Sequence, residues 1–215
     1  MKLKQILNEF LIEDYPTSWD WEEFGKLTKF SERKKYCDKH LEFLIQGSGR
    51  LVYKVDDDKV LKLAKNTKGV AQCNVEIRLG NDRYIDHIVA PIYEYDSDGY
   101  WVEMALATKL SKGKFKSIIG YSFDDYGQML MHFYYRNIKP SKYGGHAAID
   151  DENERNKIEE DEFFQSMCDM MGSYDMPPGD LRRLNSYGLV KINGKEEIRL
   201  IDYGLTNNVY EDYYK

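Results

Sequence analysis

The chain has 215 residues, 42% of them hydrophobic and 32% charged, with a formal net charge of -6. That composition suits a globular protein with a real core and excludes a disordered chain, and the acidic balance leaves no basic surplus for gripping a nucleic-acid backbone. Three cysteines with no CxxC spacing argue against a disulfide framework or a zinc site, and the expectation is a reducing, cytoplasmic setting with neither a signal peptide nor a membrane span.

In chain order, the first 46 residues read as helical. Leu3, Ile6, Leu7, Phe10 and Leu11 recur at helical spacing, and SERKKYCDKHLEFL is a second helix with Ser31 as its cap. From Gly47 to Ala107 the texture turns to strands. RLVYKV and KVLKLA flank DDD as a hairpin, GVAQCNVEIRLG is a short helix, and IVAPIYEYDSDGYWVEMALA is two strands around Ser-Asp-Gly. Helices return at Ser122 with SFDDYGQMLMHFYYRNI. Lys139 to Glu160 reads as a solvated charged connection, and DEFFQSMCDMMGSY as a helix stopping at Gly172 and Pro177. GLVKI and EIRLI form a hairpin around NGKE, since Asn-Gly favours the tight turn. The expectation is α+β: an N-terminal helical extension (1–43), a small antiparallel sheet lobe with one helix (44–105), and a reduced helical lobe carrying a hairpin (106–215).

Several residues carry chemistry within this layout. Glycines in IQGSGR let a backbone approach phosphates, although Gly-Ser-Gly is also a common loop. Lys62 lies inside an apolar strand, where a buried ammonium needs its charge met, and Glu76 is the acid on the following helix. The strand ending Glu103-Met104-Ala105 is a candidate connector whose backbone would read an adenine edge. Asp180 and Asn185 in GDLRRLN have the spacing of a phosphotransfer loop, and RLIDYG delivers Asp202 with Gly204 behind it. Carboxylate and amide oxygens of this kind suit Mg²⁺ beside substrate phosphates.

Taken together and in this order, these motifs resemble the protein kinase-like superfamily from about Leu44 to Leu205. GDLRRLN and IDYG are closer to aminoglycoside and choline phosphotransferases than to the common protein-kinase forms, and GSGRLVYKVDDDKVLKLAKN is similar to small kinase-like proteins of bacteriophage genomes. The resemblance implies a minimal two-lobed kinase-like fold, in the host cytoplasm if phage-encoded, with an ATP–Mg²⁺ site between the lobes. Gly47, Ser48, Gly49, Lys62, Glu103 and Ala105 would bind the nucleotide. Lys62 and Glu76 would form an ion pair, Asp180 would be catalytic, and Asn185 and Asp202 would hold metal. The implied acceptor is a protein or small-molecule hydroxyl, and neither nucleic acid nor a membrane is an expected partner.

This sequence departs from the family pattern at three points. Val52 stands at the third loop glycine. Pro178 stands where a loop-supporting His is common. Leu205 to Lys215 is too short for an activation segment, so the lobe is expected to be truncated after Asp-x-Gly. Two readings follow: an active phosphotransferase, with nucleotidyl transfer as a variant, or a pseudokinase that binds nucleotide or protein.

Overall fold

Alternation along short strands builds the first sheet. The structure, a computed structural model, describes residues 15–141 and 149–215, and the helix expected over Leu3 to Leu11 lies outside them. The chain is α+β and divides into two compact units: the sequence up to Cys73 with Ile92–Leu106, and Asn74–Pro91 with Ala107–Lys215.

In the first unit, helices α1 (Trp21–Lys26) and α2 (Phe30–His40) precede strands β1 (Glu42–Gln46), β2 (Arg50–Lys54), β3 (Lys59–Ala64), β4 (Ile92–Tyr95) and β5 (Trp101–Ala105). The strands pair antiparallel in the order β1-β2-β3-β5-β4. Asp20 starts α1 by accepting the N–H groups of Glu22 and Glu23. The register sets Tyr53, Leu61 and Glu103 side by side, and their neighbours Val52, Lys62 and Val102 on the opposite face. The first of these faces supplies Leu51, Tyr53, Leu61 and Leu63 to a core with Phe24, Tyr36, Cys37 and Leu41, edged by Trp19, Trp21 and Trp101. The helices before the sheet therefore cover the side away from Lys62.

The helix expected to run to Leu44 stops at His40. Leu41 is extended (φ -122, ψ 155), and Phe43 to Ile45 instead take β2 as partner. An apolar run ending in a β-branched residue satisfies its backbone at least as well in a sheet. The two predicted hairpins, β2–β3 and β4–β5, form as expected. Helix α3 (Thr67–Gly80) follows β3, and the division between units falls inside it.

The second unit holds α4 (Lys112–Ile119), α5 (Phe123–Phe133) continued by a π-helical turn over Tyr134–Ile138, α6 (Glu152–Glu159), α7 (Glu162–Tyr174), α8 (Pro178–Leu181) and α9 (Asn207–Tyr214). Strands β6 (Ala107–Lys109), β7 (Tyr187–Ile192) and β8 (Lys195–Leu200) form a three-stranded antiparallel sheet. The predicted Asn-Gly turn joins β7 to β8 with both residues at positive φ, Asn193 at 50° and Gly194 at 80°. Phe115, Tyr121, Phe123, Tyr126, Leu130, Met167 and Met171 are buried here.

Two details correct the sequence reading. The charged connection contains α6, begun by the Asp151 side chain and anchored by buried Ile158. Helix α7, by contrast, covers the expected segment, passing Gly172 and ending at Tyr174 ahead of Pro177, with Asp175 behind it in the left-handed region (φ 51). Helices α4 and α9 were not expected; they are short, capped by Ser111 and Thr206, and bury only Phe115 and Val209. No helix among the described residues is long and apolar enough to cross a membrane.

Candidate active site

In the sheet unit, Lys62 is 7% exposed. It lies between Val52 on β2 and Val102 on β5, and Val52 in turn faces Ile45 on β1. This gives a cationic centre in an apolar row, with Ile45 at its open end and 64% exposed. Gly47, Ser48 and Gly49 form the turn between β1 and β2, closed by the Gly47 N–H donating to the Arg50 carbonyl at 2.9 Å.

Glu103 and Ala105 lie within β5, opposite Leu61 and Lys59 in the ladder. The Glu103 side chain projects to the face away from Lys62, where Lys59 Nζ approaches it at 3.7 Å. Burial raises its carboxyl above the usual range, and the Tyr15 hydroxyl and Lys59 offset part of that rise.

In the second unit, backbone hydrogen bonds gather residues far apart in sequence. Segment 88–90 lies parallel to the end of β8, with the Leu200 N–H donating to Ile88 at 2.8 Å and the Ala90 N–H to Leu200 at 2.9 Å. Just past that strand, the Ser186 carbonyl accepts the N–H groups of Ile201 at 2.7 Å and Asp202 at 3.3 Å. Asn185, the residue before Ser186, and Asp202 are thereby brought close along the backbone, and both are exposed. Glu76 is fully buried, and its Oε1 accepts the Tyr203 N–H at 3.4 Å across 127 residues. The Tyr203 hydroxyl donates to the Ala90 carbonyl at 2.9 Å. The acid of α3 thus meets the Asp-x-Gly turn through its backbone.

Asp180 sits in α8 with its side chain 25% exposed, paired with Arg183 at 3.1 Å. Its loop is braced from behind by a pair that sequence reasoning did not single out. The Tyr187 hydroxyl donates to the Leu181 carbonyl at 2.7 Å and lies 3.1 Å from the Tyr126 hydroxyl. Both tyrosines are buried among the rings of Phe115, Phe123 and Phe163, and burial drives both hydroxyls far above the usual tyrosine range. They remain neutral donors at any working pH. Nothing local in SYGLV or DDYGQ marks this role; only the fold joins them.

Asn185 and Asp202 offer hard oxygen donors, which fit Mg²⁺. Among the described residues no three His, Cys, Asp or Glu side chains cluster to hold a metal. An ion here would therefore rely on phosphate and water oxygens for most of its ligands, as Mg²⁺ commonly does. A polar cavity of about 560 Å³ lined by Lys116, Asp125, Gln128, Asp151 and Glu154 includes none of the predicted site residues.

No protein-family model and no curated protein matches the chain. Its structure is similar to that of the GDP and kanamycin complex of APH(2'')-IIIa, with 17% sequence identity over 82% of this chain and 73% of that one, at a TM-score of 0.39.

Proposed function

We propose that this chain is an ATP- and Mg²⁺-dependent phosphotransferase acting on a protein or small-molecule hydroxyl. The observation that carries the reading is the convergence in the second unit, where Glu76 accepts the Tyr203 N–H beside Asp202 while Ser186, next to Asn185, accepts the N–H of Asp202 itself. A chain that needed only a turn and a strand end would have no reason to bury a carboxylate against that turn.

In this reading Gly47, Ser48 and Gly49 approach the phosphates with backbone N–H groups, and Lys62 supplies positive charge to them. The backbone of Glu103 and Ala105 borders the base, and Ile45, Val52 and Val102 give it an apolar surface. Glu76 keeps the Asp202 turn in place. Asn185 and Asp202 hold Mg²⁺, which when bound neutralises phosphate charge. Asp180 orients the acceptor hydroxyl and takes its proton. Its pairing with Arg183, whose side chain is 69% exposed, is worth at most about 1 kcal/mol.

The test is release of labelled γ-phosphate from ATP with Mg²⁺, to water and to candidate acceptors. Turnover should fall at least about 100-fold in Asp180→Asn with nucleotide affinity retained. Equal turnover in the variant would remove Asp180 from the chemistry. Nucleotide binding without turnover in the parent protein would favour the pseudokinase reading.

A further inference from the structure

Three consecutive carbonyls of the Gly47–Gly49 turn are held from one side. The Lys65 backbone N–H donates to Gly49 at 2.8 Å, its ammonium to Gly47 at 3.1 Å, and Asn66 Nδ2 to Ser48 at 3.4 Å. Asn66 also accepts the Gly69 N–H through Oδ1 at 3.0 Å, so one amide side chain both caps the first turn of α3 and grips the loop. Gly69 lies directly against the turn. A Cβ there would stand 2.1 Å from the Gly49 carbonyl oxygen, and one on Gly49 would stand 2.6 Å from Gln72 Oε1 and 3.1 Å from the Gly69 backbone. The contact exists only because both residues lack side chains.

In a trans peptide the carbonyl and the next N–H point in opposite directions. Turning the Gly47 and Ser48 carbonyls toward Lys65 and Asn66 therefore aims the N–H groups of Ser48 and Gly49 away from them. Successive N–H groups presented on one side form a concavity for anions. We propose that Lys65, Asn66 and Gly69 are positioning residues that pre-form this turn as a phosphate cradle, compensating for the third loop glycine that Val52 replaces. The inference rests on the nucleotide-binding reading above. Because the turn is ordered before a ligand arrives, less freedom is lost on binding. Loosening it weakens a ligand through its phosphates and leaves the base unaffected.

The experiment measures the dissociation constants of ADP and of adenosine, with Mg²⁺, for the full chain and for Gly69→Ala and Asn66→Ser. Neither substitution changes charge. Alanine is the better helix former in the first turn of α3, and serine retains a capping oxygen while losing the donor to Ser48. ADP binding should weaken by about tenfold or more in Gly69→Ala and by roughly three- to tenfold in Asn66→Ser, the range set by one hydrogen bond. Adenosine binding should stay unchanged in both. A parent protein that binds both ligands, with the ADP-to-adenosine ratio preserved in the variants, overturns the proposal and leaves the functional reading standing. A parent protein that binds neither overturns the nucleotide reading, and the proposal with it. If Gly69→Ala does not fold, the ratio in Asn66→Ser decides.

Discussion

In the sheet unit, Lys62 takes its side from strand alternation, with Leu61 and Leu63 committed to the aromatic core and Lys62 facing the other way between Val52 and Val102. In the second unit, Asp180, Asn185 and Asp202 sit on short, irregular segments whose places depend on bonds from outside each segment: Tyr187 for the Leu181 carbonyl, Ser186 for Asp202, and Glu76, 127 residues away, for Tyr203. A strand orients its residues through its own period, whereas a loop needs bonds from elsewhere. Damage to the second unit should therefore come from single buried hydroxyls, while damage to the first should come from altered burial.

The largest effect that sharpens this contrast is expected at Tyr187. Removing its hydroxyl leaves the Leu181 carbonyl and the Tyr126 hydroxyl buried without it, so Tyr187→Phe should cost about 1–3 kcal/mol in urea unfolding. Tyr126→Phe leaves the bond to Leu181 intact and should cost less, about 0.5–1.5 kcal/mol. Equal losses would show that the two hydroxyls are not a directed brace.

A smaller effect with a definite sign is expected in the sheet unit. Burial raises the Glu103 carboxyl above its ordinary range, so the folded state binds that proton more tightly than the unfolded state does. Its contribution to stability is then present at low pH and is lost as pH rises through the raised value. Glu103→Gln, neutral at every pH, should unfold at a higher temperature than the parent protein at pH 7, with the gap closing below about pH 4. A parent protein that is the more stable at pH 7 would mean that the Lys59 ion pair outweighs burial.

Elements with strong periodicity or turn chemistry were legible in the sequence: both hairpins of the first sheet, the Asn193–Gly194 turn, and helix α5 with its Ser122 cap. Helices α4, α6 and α9 were not, because eight-residue helices with one buried side chain each carry little pattern. The polar residues of the candidate site could be named from spacing, since Asp180, Asn185 and Asp202 occur in recognisable strings. Their supports could not. Gly69 reads as an ordinary helix glycine until Gly49 is found against it, and Tyr187 and Tyr126 are two tyrosines among 18 in the chain. Only Asn66, placed just before a helix, had a local signal in its capping chemistry.

The most direct test of the phosphotransferase account is thermal unfolding of the protein with millimolar ATP, in the presence and absence of Mg²⁺. A ligand at a hundred times its dissociation constant adds roughly 2.7 kcal/mol, which raises the midpoint by roughly 5–10 °C for a chain of this size. The account predicts a rise of that order that depends on Mg²⁺ and disappears in Asp202→Ala. No rise at millimolar ATP with Mg²⁺, or the same rise without the metal, would contradict it.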